Sequence, residues 1–245
     1  MQFKIVMALC LSMLLPLSVQ AKECVILLHG LGRSHLSLNK LESALQANYT
    51  TFNHSYASRT LTTEKLADDV ISRNLLQCQG FEKIHFVTHS MGGILVRQYL
   101  SHHTIDNLGR VVMLGPPNQG SQTIDKLKWL PGFKFIVGPA GLQLGTGLEP
   151  ITRQLEEIDF ELGVIAGNKS INLFLSTLLP SSDDGKVTVN NTKIKGMSDH
   201  IVMPVTHPFM MKNKKVIKQV IHFLQHGNFD TATKSNYKSS LSALK

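Results

Sequence analysis

The chain has 245 residues, 42% of them hydrophobic, and a formal net charge of +8. That is apolar material for one sizeable core and hardly for two, so a single domain is expected. No basic stripe interleaved with aromatic residues accompanies the charge, which sets nucleic acid aside and leaves an anionic surface such as lipid head groups as the partner that the charge favours.

The chain opens with Lys4, an apolar run from Ile5 to Leu17 and the small residue Ala21. This is the layout of a secretory signal peptide, residues 1–21, cleaved after Ala21. A retained membrane anchor is the alternative, but the run is short for a span and Pro16 sits near its end. Two cysteines, Cys24 and Cys78, remain in the exported chain. An oxidising compartment permits a bridge between them, and two buried thiols would fit the sequence equally.

Val25 to Leu28 reads as a strand buried on both faces, ending in His29-Gly30-Leu31-Gly32. Leu38, Leu41 and Leu45 mark a following helix, and Tyr49 to Tyr56 a second strand. Thr63 to Leu76 carries Leu66, Val70 and Ile71 at helical spacing and is stopped by Gly80. Lys83 to Thr88 is a strand that runs into His89-Ser90-Met91-Gly92-Gly93, with a helix starting at the turn. Arg110 to Leu114 is a further strand, closed by Gly115-Pro116-Pro117. Strands alternating with helices predict an α/β fold, a mostly parallel sheet with helices on both faces.

From Asn118 to Asp159 this alternation lapses into apolar and aromatic residues crowded among Pro and Gly. Regular order is expected again at Leu162 to Gly167 and near Thr192 to Met197, then in a helix from about Asn213 whose stripe is Val216, Ile217, Val220, Ile221 and Leu224. Beyond Gly227 the chain is polar, and residues 229–245 are expected to be a disordered tail to a domain spanning 22–228.

A strand, a tight turn bearing Ser and then a helix is what a serine nucleophile in an open sheet requires. The turn strains the serine's backbone, so residues two before and two after it should be small. Gly92 meets this demand, whereas Thr88 stands where Gly is usual. The competing reading of Ser90 is a helix N-cap. An oxyanion needs two backbone donors, one from the residue after the nucleophile and one from the loop after an earlier strand. Met91 and Leu31 answer to these two places, and His29 reads as a structural histidine beneath the loop.

His29-Gly30-Leu31-Gly32 paired with His89-Ser90-Met91-Gly92-Gly93, and Pro116-Pro117-Asn118-Gln119-Gly120-Ser121 after the next strand, resemble bacterial lipases and esterases of the α/β-hydrolase superfamily. The resemblance spans residues 24 to 226. It implies that an acid and then a histidine follow the serine. Asp183-Asp184-Gly185 resembles the family's acid turn, which points to Asp184 with Asp183 as the alternative. His207, followed by the final helix, stands where the fold places its base, and His200 is the alternative. The resemblance also makes the strands near Cys24 and Thr88 neighbours, so Cys24 and Cys78 would meet at one edge and form a disulfide. Residues 118–159 fall where this fold inserts a lid, although their apolar cluster would equally complete the core.

The implied chemistry is hydrolysis of apolar or lipid esters through an acyl-enzyme on Ser90, with no cofactor and no catalytic metal, by a protein exported to a periplasm or beyond the cell. An acyltransferase, a thioesterase or a deacylase of amides or lipid-linked substrates on the same fold is the runner-up. A noncatalytic binding protein that keeps the fold is the third reading.

Overall fold

The computed structural model describes residues 23–147, 150–155, 157–170 and 182–230. The expected signal peptide and most of the expected tail lie outside the described residues. Six strands, β1 (Glu23–Leu28), β2 (Thr50–Phe52), β3 (Lys83–His89), β4 (Leu108–Leu114), β5 (Leu162–Gly167) and β6 (Asp199–Met203), form one sheet in the order β2-β1-β3-β4-β5-β6. Every pairing between them is parallel.

Helices α1 (Asn39–Leu45), α2 (Thr63–Gln77), α3 (Met91–Leu100), α4 (Gln122–Leu127), α5 (Phe133–Gln143), α6 (Ile151–Gln154) and α7 (Lys214–His226) complete the described architecture. Parallel strands need crossovers, and the helices supply them over both faces. The strand period of two divides the core. Cys24, Ile26 and Leu28 of β1 join Leu66, Val70 and Ile71 of α2 and Leu95 of α3 on one face. Val25 and Leu27 join Leu41 and Leu45 of α1 and Val216, Val220 and Phe223 of α7 on the other. This double burial is why β1 reads as an unbroken apolar run.

The last helix follows local rules closely. The Asn213 side chain accepts from the N–H groups of Lys215 and Val216, and Gly227 ends the helix at φ 74. The chain remains packed to Phe229, which is buried and donates its N–H to Asp199 Oδ2. Cys24 and Cys78 form a disulfide with Cα atoms 6.0 Å apart.

The regular order expected near Thr192 to Met197 takes the form of a short turn and loop, and the sixth strand is Asp199–Met203. Thr192 and Ile194 are buried while Lys193 and Lys195 are exposed, so the alternation that suggests a strand is present. Yet Asn190–Thr192 is a 3-10 turn, and Gly196 at φ 91 passes so close to Ile158 that a Cβ would stand 2.1 Å from its carbonyl oxygen. Alternating burial arises here from a loop lying on the core.

Candidate active site

The register of the sheet assembles the site. Leu28 of β1 pairs with Thr88 of β3, and His89 pairs with Leu114 of β4. The loop after β1 and the turn after β3 therefore leave the carboxyl edge of the sheet side by side, where open parallel sheets hold their ligands. Ser90 lies at this turn with φ 54 and ψ −122 and is the sole described non-glycine residue with positive φ. Such a conformation costs of order 1–3 kcal/mol and is kept only where the surroundings enforce it. The Ser90 N–H donates to Leu114 O at 2.8 Å and its carbonyl accepts from Gly93 N–H at 3.1 Å, which fixes the turn. The side chain makes no capping hydrogen bond to α3, which sets the N-cap reading aside.

The tight approach explains two glycines. A Cβ on Gly92 would stand 2.6 Å from Leu28 O, and one on Gly30 would stand 2.9 Å from His89 Nδ1 and 3.1 Å from Ser90 Cβ. Thr88 fits although Gly is usual there. It is fully buried, and Gly93 leaves room beside its hydroxyl, 3.2 Å from where a Cβ would lie. Met91 N–H, at the first residue of α3, and Leu31 N–H have no acceptor among the described residues. The Leu31 loop is held from below. His29 is buried and stacks on Tyr56 at 4.0 Å, accepts the Tyr56 N–H at Nε2, and receives the Tyr56 hydroxyl at its carbonyl. Burial lowers the pKa of His29, so its ring serves as a neutral strut.

The acid and the histidine meet through loops after β5 and β6. His207 Nδ1 donates to Asp184 Oδ2 at 2.7 Å, both side chains being almost fully buried. Asp184 Oδ1 accepts the N–H groups of Lys186 and Val187 at 3.0 and 2.9 Å, and His207 N–H donates to Asp184 O at 2.9 Å. A carboxylate only accepts, so this contact fixes the proton on His207 Nδ1 and leaves Nε2 free to take another. Asp183 instead accepts the Gly185 N–H at 2.6 Å. His200 lies in β6 with Nε2 3.0 Å from Thr192 Oγ1, and burial, reinforced by Lys193, pushes its pKa down to about 4.

Gly115, at φ 55, opens the space for Asp184 and His207. A Cβ there would stand 3.0 Å from both Asp184 Oδ2 and His207 Nδ1. His89 backs His207, with ring centroids 4.7 Å apart and Nε2 donating to His207 O at 3.0 Å. Burial, and then the adjacent His207, hold the pKa of His89 well below its usual value.

Ser90 and His207 face a cavity of about 60 Å³ together with Leu31, Ile124, Leu144 and Val187. Arg33 and Lys186 also line it. Ser90 has no side-chain hydrogen bond among the described residues, so its hydroxyl is open to the cavity. No group of three or more His, Cys, Asp or Glu side chains among the described residues is placed to hold a metal ion.

Arg97 of α3 is a structural feature that the sequence reading missed. It is buried and gives its N–H groups to Asn118 O and Oδ1 and to the carbonyls of Thr152 and Leu155. Burial lowers its pKa to about 10. Asn118 in turn donates to Thr192 O at 2.8 Å, and Ser121 and Thr123 donate to Lys186 O. The start of the segment after β4 is thus tied to α3 and to the loop that carries Asp184. A lone Arg in an apolar helix, Ile94 to Leu100, was the available signal.

Comparisons with known proteins agree with this architecture. A family model described as the alpha/beta hydrolase fold matches residues 23–133. Lipase BlEst2 of Bacillus licheniformis in its mature form superposes with a TM-score of 0.72 at 23% identity, over 84% of this chain and 93% of that one. Phospholipase PlaB from Legionella pneumophila gives a TM-score of 0.59 at 19% identity, over 83% of this chain and 57% of that one. A thermophilic esterase from Thermogutta terrifontis gives 0.57 at 16%, over 84% and 91%. Among curated proteins no match to the sequence was found. The chain has the α/β-hydrolase fold, and the resemblance read from its motifs is matched by a family model and by its structural neighbours.

Proposed function

We propose that this α/β-hydrolase-fold protein is a serine ester hydrolase that cleaves apolar or lipid esters through an acyl-enzyme on Ser90. The observation that carries the reading is the strained Ser90, at φ 54, sharing a cavity with a histidine whose far nitrogen is bonded to a buried carboxylate. The fold alone hosts many activities, so the argument rests on these groups.

His207 Nε2 takes the proton of the Ser90 hydroxyl as Oγ bonds to the ester carbonyl carbon. Asp184 holds the ring in its useful tautomer and stabilises the imidazolium. The carbonyl oxygen becomes an oxyanion facing the unsatisfied N–H groups of Leu31 and Met91, and such a donor is worth about 3 kcal/mol. Collapse breaks the bond to the alcohol oxygen, which leaves with the proton from His207. Water then repeats the sequence, giving a proton to His207 and its oxygen to the acyl carbon, and Ser90 is restored with release of the acid.

The substrate class follows from the surroundings. Leu31, Ile124, Leu144 and Val187 offer an apolar wall beside Ser90. The segment between β4 and β5 exposes Trp129 and Phe135, at 82% and 92%, together with Leu130 and Ile136. An exposed cluster of this kind marks an interaction surface, and Lys128 and Lys134 beside it suit an anionic lipid interface. We read residues 118–159 as the lid and lipid-contacting segment. Export rests on the leading 21 residues and accords with the Cys24–Cys78 disulfide.

Ser90→Ala tests the reading. It should abolish turnover of p-nitrophenyl butyrate and labelling by a fluorophosphonate probe while the circular dichroism spectrum is unchanged. Turnover equal to the native protein's would sink the assignment.

A further inference from the structure

The cavity at Ser90 adjoins a second one. A groove of about 460 Å³ is lined by Gly32, Arg33, Ser34, Leu36, Ser37, Pro208, Phe209 and Lys212. Arg33 lines both spaces, and Pro208 follows His207 directly. The groove therefore continues the cavity on the histidine's side. The alcohol oxygen of an ester must receive its proton from His207, so the alcohol half of the substrate has to lie on that side.

Its chemistry differs from that of the acyl side. Arg33 and Lys212 bring two positive charges to the groove, and Lys186 adds a third at the cavity. Among the described residues none of the three side chains makes an ion pair or a hydrogen bond. The carboxylate that pulls on Lys186, Asp184, is already engaged by His207 and two backbone N–H groups. Lys186 is exposed as a residue, yet the crowding of protein around its ammonium and then the charge of Arg33 lower its pKa, against a smaller opposing pull from Asp184. Arg33 and Lys186 thus repel each other across the site, and a bound anion would remove that conflict. Leu36 and Phe209, both more than half exposed, form apolar flanks, and Ser34 and Ser37 add hydroxyls. A planar guanidinium at such a position suits a phosphate oxygen pair.

We propose that the substrate carries an anionic group on its alcohol half, a glycerophosphate ester being the class that fits, and that Arg33 and Lys212 form the subsite that holds it. This rests on the assignment of Ser90 as nucleophile and names the substrate of that same site. The acyl group lies against Leu31, Ile124, Leu144 and Val187, the scissile carbonyl at Ser90, and the phosphate in the groove. The phosphate stays intact, and only the carboxylic ester bond breaks.

The test uses the full chain and two soluble esters with one acyl group, 1-butyryl-glycerol and 1-butyryl-glycerol 3-phosphate, with release of butyrate as readout. The native protein should favour the phosphate ester by at least about tenfold in kcat/KM at low salt, with the preference shrinking as ionic strength rises. Arg33→Gln should lower that preference about tenfold and Lys212→Gln by less, whereas Arg33→Lys, which keeps the charge but not the planar fork, should fall between the native protein and Arg33→Gln. Glycerol 3-phosphate should compete more tightly than inorganic phosphate. Tighter competition by inorganic phosphate would overturn the proposal in favour of a free-anion site. Turnover of both esters with no preference, or a preference that survives both Gln variants, would overturn it too while leaving the hydrolase reading intact. Failure of a fluorophosphonate to label Ser90 would instead remove the reading on which it stands.

Discussion

Replacing Asp184 by Asn keeps the volume of the side chain and removes its charge. Oδ1 of Asp184 accepts two backbone N–H groups, from Lys186 and Val187, while Oδ2 accepts from His207 Nδ1 at 2.7 Å. An amide has one accepting oxygen. The two backbone donors cannot be reversed, so the oxygen of the substituted side chain must stay with them and its NH₂ must face His207. Two donors cannot share that contact, and His207 therefore shifts its proton to Nε2. The nitrogen that faces away from residue 184 then carries a proton and cannot take the serine's on the proposed mechanism. From the general cost of a wrong tautomer in such a site, kcat should fall about 10⁴-fold, or roughly 5 kcal/mol of barrier. The cost in stability should be smaller, on the order of 1–3 kcal/mol, because every hydrogen bond finds a partner after the shift. The assay is kcat and KM on p-nitrophenyl butyrate, beside urea denaturation. Asp183→Asn is the control, since Asp183 Oδ1 accepts the Gly185 N–H and not His207, and its kcat should stay within about threefold. A D184N protein retaining a tenth or more of native kcat, or a D183N protein more impaired than D184N, would refute the reasoning.

Two further outcomes concern stability. His200 has its folded pKa depressed to about 4, while an unfolded histidine titrates near 6.5. The unfolded chain takes up this proton first, so stability is intact above pH 6.5 and is lost as the pH falls toward 4. At pH 5 this group alone should cost about 2 kcal/mol, and His200→Asn should flatten the fall of the urea midpoint between pH 7 and 5. An unchanged slope would contradict the assignment. The Cys24–Cys78 bridge spans 54 residues of sequence. Its removal should cost about 4 kcal/mol on the chain-entropy model and lower Tm by on the order of 10 °C. Two titratable thiols in the denatured, unreduced protein would refute the bridge.

What the sequence by itself determined was whatever short-range chemistry dictates. Continuous apolar runs such as Val25 to Leu28 specify strands buried on both faces, and the stripe from Val216 to Leu224 specifies the last helix. The strand–turn–helix around Ser90, with Gly92 two residues on, follows from local steric demand, because Leu28 O leaves no space for a Cβ. The regular order expected at Thr192 to Met197 marks the limit. Alternating burial does not reveal whether a segment pairs with a neighbour or only lies across the core, and Gly196 settles that through its contact with Ile158.

Tertiary structure alone decided the rest, because long-range packing has no local signature. It brings Asp184, rather than its neighbour Asp183, against His207 across 23 residues of chain. It buries Arg97 among carbonyls supplied by three separate positions. It also gathers Arg33, Lys186 and Lys212 at one opening, where nothing in their spacing joins them. Side chains far apart in sequence become neighbours only once the parallel sheet fixes which loops leave its carboxyl edge together.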